Sequence, residues 1–123
     1  MKNRPTSRPG CDPADHQHPA VPPLRPAMAI ARASGMLRAA GDPARLRLLE
    51  VLSSGERCVS DLVAVTGDPM PAVSQRLGRL RTEGLVVSRR DGKHIHYALA
   101  DGHVASLLLA VLDHADHSAA RTP

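Results

Sequence analysis

The chain has 123 residues, a formal net charge of +4, 1% aromatic residues and two cysteines. That length suits one domain, and no apolar run of about 18 residues is present to form a transmembrane helix. Two cysteines make no disulfide framework, no apolar segment follows the basic start, and scarce aromatics disfavour single-strand binding by base stacking; a cytoplasmic protein with a duplex nucleic acid partner is expected.

Residues 1–26 hold seven of the 11 prolines and lack periodic apolar residues, so they read as a flexible arm. The folded domain is expected over 27–117, with 118–123 as a frayed, disordered tail. Apolar residues at helical spacing (Met28, Ile30, Ala33, Leu37) predict a first helix over 27–40. Asp42 and Pro43 then carry the N-cap and first-position signals of a second helix, with Leu46, Leu49, Val51 and Leu52 inward and Ser53-Ser54-Gly55 at its end. A short third helix over 59–66 is expected to bury Leu62, Val63 and Val65. Gly67-Asp68-Pro69 turns the chain into a fourth helix, about 71–83, that buries Val73, Leu77 and Leu80 and is stopped by Gly84. Strands over 85–89 and 94–99 are joined through Asp91-Gly92, a strong hairpin signal. A last helix runs from Asp101, its candidate N-cap, to His117.

Helix, glycine turn, helix with a polar and basic outer face, then a basic hairpin is the order of a winged helix-turn-helix. The expected fold is mainly α with a small β-hairpin: about five helices and a two-stranded wing, homodimeric. Ser74 and Gln75 on the fourth helix can reach base edges in the major groove. Arg76, Arg79 and Arg81 can hold phosphates, and Arg89, Arg90 and Lys93, with His94 beside them, place charge at the wing.

The last helix carries Asp101 and His103 at its start and, after ten intervening residues, His114 and His117. At about 100° per residue the three histidines share one face, and Asp101 sits beside His103 at the helix start. Eleven residues at about 1.5 Å each separate the two ends by roughly 16 Å, too far for one ion with ligands about 2.0–2.2 Å away. Two copies packed antiparallel remove the difficulty: Asp101 and His103 of one meet His114 and His117 of the other, and a two-fold dimer makes two such sites. Leu107, Ala110 and Val111 lie between the ligands and would pack at the seam. Three imidazoles and a carboxylate suit tetrahedral Zn²⁺, with Co²⁺ or Ni²⁺ as alternatives. A second ligand cluster combines Cys58 and Asp61 of the third helix with Cys11, Asp15, His16 and His18 of the arm; a buried apolar Cys58 is the plainer reading.

From about residue 36 to 117 the chain resembles the ArsR/SmtB family of metal-sensing repressors. The resemblance rests on Gly41-Asp42-Pro43-Ala44-Arg45-Leu46-Arg47-Leu48-Leu49, Cys58-Val59-Ser60-Asp61-Leu62, Ala72-Val73-Ser74-Gln75-Arg76-Leu77 and the spacing of Asp101, His103, His114 and His117. It implies that metal-free dimers repress, and that metal lowers operator affinity so that efflux or resistance genes are expressed. It also implies that those four residues are the sensing ligands. Arsenic-sensing members carry a Cys-x-Cys pair where this chain has Cys58 and Ser60, which disfavours As(III) or Pb(II). No histidine follows His117, which tilts the choice from nickel toward zinc or cobalt.

Two other readings stay open: a winged-helix regulator not controlled by metal, and a small zinc-buffering or delivery protein that binds no DNA. An enzyme is not expected, since a catalytic zinc keeps an open position and this set supplies four ligands. No membrane partner and no small organic substrate are expected.

Overall fold

The computed structural model describes residues 19–121. The arm residues Cys11, Asp15, His16 and His18 lie outside them. The elements are α1 (Ala27–Ala40), α2 (Pro43–Leu52), β1 (Arg57–Cys58), α3 (Val59–Thr66), α4 (Met70–Thr82), β2 (Val86–Asp91), β3 (His94–Leu99) and α5 (Gly102–Arg121).

Local chemistry sets the helix ends. The Asp42 carboxylate accepts the Arg45 backbone N–H at 3.0 Å, satisfying one orphan donor at the start of α2, while Pro43 occupies a first-turn position where its missing N–H costs nothing. Gly67 closes α3 in the left-handed region (φ 76°), which directs the chain into α4 without steric cost. Gly92 (φ 62°) does the same service at the wing tip. At the start of α5, Asp101 Oδ1 accepts the Val104 N–H at 3.1 Å.

The core is built almost wholly from leucine and valine. Leu48, Leu49 and Leu52 of α2, Leu62 of α3, and Val73, Leu77 and Leu80 of α4 meet Ala39, Leu85, Val86 and Leu108, and no polar side chain is buried with them among the described residues. Arg45 Nε donates to the Ala39 carbonyl at 2.7 Å and so ties the end of α1 to α2.

The structure departs from the sequence expectations in four places. The sheet has three antiparallel strands in the order β1-β3-β2, not two: Arg57 and Cys58 pair with Tyr97 and His96 on the free edge of the hairpin. A two-residue strand has no periodicity of its own and exists only through its long-range partner. Val65, expected inward, is 63% exposed, because the short α3 turns a single stripe headed by Leu62 to the core. The apolar residues of α1 face outward as well: Met28, Ile30 and Leu37 are all more than half exposed, and the buried positions are Gly35 and Ala39. Finally, α5 continues past His117 to Arg121, through Ser118-Ala119-Ala120-Arg121, whose alanines and arginine favour helix.

Candidate DNA-binding surface and metal half-sites

The helix pair α3–α4 and the hairpin β2–β3 form the expected helix-turn-helix and wing. Val73, Leu77 and Leu80 anchor α4 at full burial, which leaves Ser74, Gln75, Arg79 and Arg81 on its exposed face. The basic side chains differ in how they are held. Arg76 is the least exposed, and its Nη1 meets Asp68 Oδ2 at 2.9 Å, across the turn that precedes α4. Arg79 lies 3.7 Å from Glu83 one helical turn on. Arg81 donates to Ser88 Oγ at 3.2 Å and braces α4 against β2. Arg90 and Lys93 sit exposed near the wing tip, beside the Asp91–His94 pair that ends the hairpin.

Arg89 is committed elsewhere. Its guanidinium grips both carboxylate oxygens of Glu56, in the loop before β1. That fork holds the Glu56 carboxyl below the ordinary carboxylate range, by the Arg89 hydrogen bonds first and by the charges of Arg89 and His96 after them. Nothing in the sequence marks Glu56 as a partner of Arg89, since the two residues meet only when the hairpin folds back on the edge strand.

On α5, the buried stripe is Leu108 with the half-buried Val104 and Leu112, at i, i+4 and i+8. The opposite face carries His103, Leu107, Ala110, His114 and His117, all exposed. Asp101 and His103 are brought together at the helix start, with Oδ1 and Nδ1 3.7 Å apart, and the His103 side chain is entirely open to solvent. His114 and His117 follow one turn apart near the other end. No group of three metal-binding side chains forms within the protomer among the described residues. The donor chemistry fits a zinc-type ion, but each end of α5 supplies only half a set.

The second cluster is half present. Cys58 occupies the N-cap position of α3 without capping it, half-buried, with its Sγ 3.1 Å from Ser60 Oγ. Asp61 lines an open cleft of about 570 Å³ together with Glu56 and His96. His96 escaped the sequence reading; it stands opposite Cys58 in the β1–β3 register.

Comparison with known proteins decides the family. The model of the bacterial regulatory protein, arsR family, matches residues 42–88. The HTH-type transcriptional repressor SmtB of Mycobacterium tuberculosis is 38% identical over 112 residues, covering 85% of this chain and 83% of that protein. The chain belongs to the ArsR family. A second relative, the "Probable mercury resistance operon repressor" of Streptomyces lividans, is 43% identical over 84 residues, covering 68% of this ArsR-family chain and 67% of its own. Among solved structures, the homodimeric winged helix-turn-helix DNA-binding domain of a possible ArsR-family transcriptional regulator from Mycobacterium bovis superposes with a TM-score of 0.74 at 30% identity, over 78% of this chain and 89% of that one. The winged helix-turn-helix fold is thus shared, and the family and its neighbours are DNA-binding transcriptional regulators, not enzymes. None of the described helices is long and apolar enough to cross a membrane.

Proposed function

We propose that this ArsR-family protein is a cytoplasmic, dimeric repressor whose metal-free form binds operator DNA and whose affinity falls when a transition-metal ion, zinc by its donor set, is held between subunits. The observation that carries this reading is the outer face of α5: ligands at both ends, with half-exposed apolar residues between and beside them. Leu107 and Val111 are each 49% exposed, a costly arrangement for a helix that faces water. The outward Met28, Ile30 and Leu37 of α1 offer a second uncovered apolar surface. A second copy covers such surfaces, and a small domain gains stability from doing so.

In that dimer Asp101 and His103 of one protomer and His114 and His117 of its partner hold the ion. When bound, it supplies a cross-link that fixes the angle between the paired α5 helices. The chain's own connectivity carries the consequence: Asp101 lies two residues beyond Leu99, the last residue of β3, so a ligand there is joined directly to the wing. The recognition helices of a dimer must match half-sites roughly 34 Å apart. A fixed α5 angle displaces wing and α4 from that spacing, which is a coupling free energy between two sites.

The test is a titration of the apo protein on operator DNA with Zn²⁺, Co²⁺ and Ni²⁺, followed by anisotropy, with cobalt absorption recorded in parallel. Release of DNA at two ions per dimer, with tetrahedral cobalt bands, is the expected result. Retention of DNA at every metal concentration, or undiminished release from a His103→Ala protein, overturns it.

A further inference from the structure

We propose that the cleft between the start of α2 and the flank of α4 is a phosphate seat for the DNA backbone, with Arg45 as its main charge. This rests on α4 being the DNA-facing helix, and it extends the interface to a helix outside the helix-turn-helix pair and the wing.

The cleft measures about 480 Å³ and is lined by Asp42, Ala44, Arg45, Gln75, Arg76 and Arg79. Three arginines therefore line one space, and each has a partner. Arg76 is held by Asp68 and Arg79 by Glu83, so both share their charge with a carboxylate, although neither acid lines the cleft. Arg45 differs. Its Nε is fixed by the Ala39 carbonyl at 2.7 Å, a neutral acceptor that orients the guanidinium without cancelling its charge. The one carboxylate in the lining, Asp42, is turned to the Arg45 backbone N–H as the α2 cap.

An oriented guanidinium with free N–H groups suits a phosphate oxygen pair, and anchored arginines lose little side-chain freedom when they bind. Position supports the same ligand. Gln75 lines the cleft, and Ser74 beside it is on the exposed face of α4. A helix that enters the major groove is flanked by backbone phosphates, and contacts to them set its register. Nothing in the sequence marks Arg45 as a DNA contact, because a basic residue three positions after an N-cap looks like an ordinary solvated one.

The experiment compares the salt dependence of duplex binding, on operator and on unrelated DNA, for the wild-type dimer and four variants. Loss of one phosphate contact lowers the slope of log K against log salt by about 0.9. Arg45→Gln should show that loss on both duplexes. Ala44→Glu, which brings a carboxylate into the cleft without touching the Arg45 anchor, should show it too, so a glutamine variant that fails to fold leaves the test standing. Arg45→Lys should keep the slope, as should Arg47→Gln, a same-helix control whose side chain pairs with Glu50 outside the cleft. A wild-type slope in both Arg45→Gln and Ala44→Glu, or an equal loss in Arg47→Gln, overturns the proposal. Inorganic phosphate added at fixed ionic strength should weaken wild type and Arg45→Gln alike. A saturable phosphate effect confined to wild type, with no slope change in the variants, assigns the cleft to free phosphate and overturns the DNA role. Failure of the wild-type protein to bind any duplex would instead refute the repressor reading before a variant is measured.

Discussion

Glu56 and Arg89 lie 33 residues apart in sequence and meet in a two-pronged ion pair, Nε to Oε2 at 2.8 Å and Nη2 to Oε1 at 2.7 Å. The pair fastens the wing strand β2 to the loop that precedes β1. Both side chains are partly open to water, so its worth is geometric more than energetic. It also occupies the arginine that the sequence alone assigned to DNA.

Releasing Arg89 should therefore strengthen DNA binding. Glu56→Gln removes the carboxylate and keeps the side-chain shape. Duplex affinity should rise at low salt, with the salt slope steeper by up to about one contact, while the thermal midpoint falls by a small, measurable amount. Fluorescence anisotropy across a salt series measures this. A weaker Glu56→Gln protein would show that the fork positions the wing and does not shield it.

The same pair sets an acid limit. Glu56 is ionised in both folded and unfolded protein above its ordinary value of 4.5, and Arg89 holds the folded value lower. The stability contributed by the fork is thus fully present above pH 4.5. It declines as pH falls below that and is gone once pH passes the lowered folded value. The His96 charge acts in the same direction. The difference in thermal midpoint between wild type and Glu56→Gln should shrink as pH falls below 4.5. A difference that grows below 4.5 contradicts the assignment.

In the proposed dimer Asp101 has two jobs, cap and metal ligand, that one substitution separates. Asparagine can still accept the Val104 N–H and cap α5, but it is a poor metal ligand. Asp101→Asn should keep helicity and apo DNA affinity and lose at least about tenfold in metal affinity, the loss typical even of outer-shell partners. Asp101→Ala should in addition lose about 0.5–2 kcal/mol of stability. Calorimetric metal titration beside thermal melts distinguishes the two.

Leu107→Glu tests the dimer seam. Leu107 is 49% exposed in the protomer, so the substitution leaves the core intact. The expected product is a folded monomer by sedimentation, with tight metal binding and operator binding both lost. A Leu107→Glu dimer would place the seam elsewhere, with α1 as the next surface to probe.

Much of the architecture was legible in the residues. The Asp42-Pro43 start of α2, the Gly67 turn, the Leu77 and Leu80 stripe of α4 and the spacing of His103, His114 and His117 all express periods and caps that act within a few residues. What escaped depended on distant partners. β1 is two residues held by Tyr97 and His96. The outward turn of Val65 and of Met28, Ile30 and Leu37 depended on which stripe the rest of the chain left room for, since an apolar period says that a face is covered and not by what.

Sequence by itself determined the start of α2, the Gly67 turn, the hairpin turn and the one-sided histidine row of α5, because hydrogen bonds to a neighbouring turn and the 3.6-residue period are properties of short segments. Only the tertiary structure decided which basic groups remain available. Arg76 is engaged by Asp68, Arg89 by Glu56, and Arg45 is aimed by the Ala39 carbonyl. An arginine's charge is written in the chain, but its partner is chosen by whichever acceptor the folded backbone brings within about 3 Å.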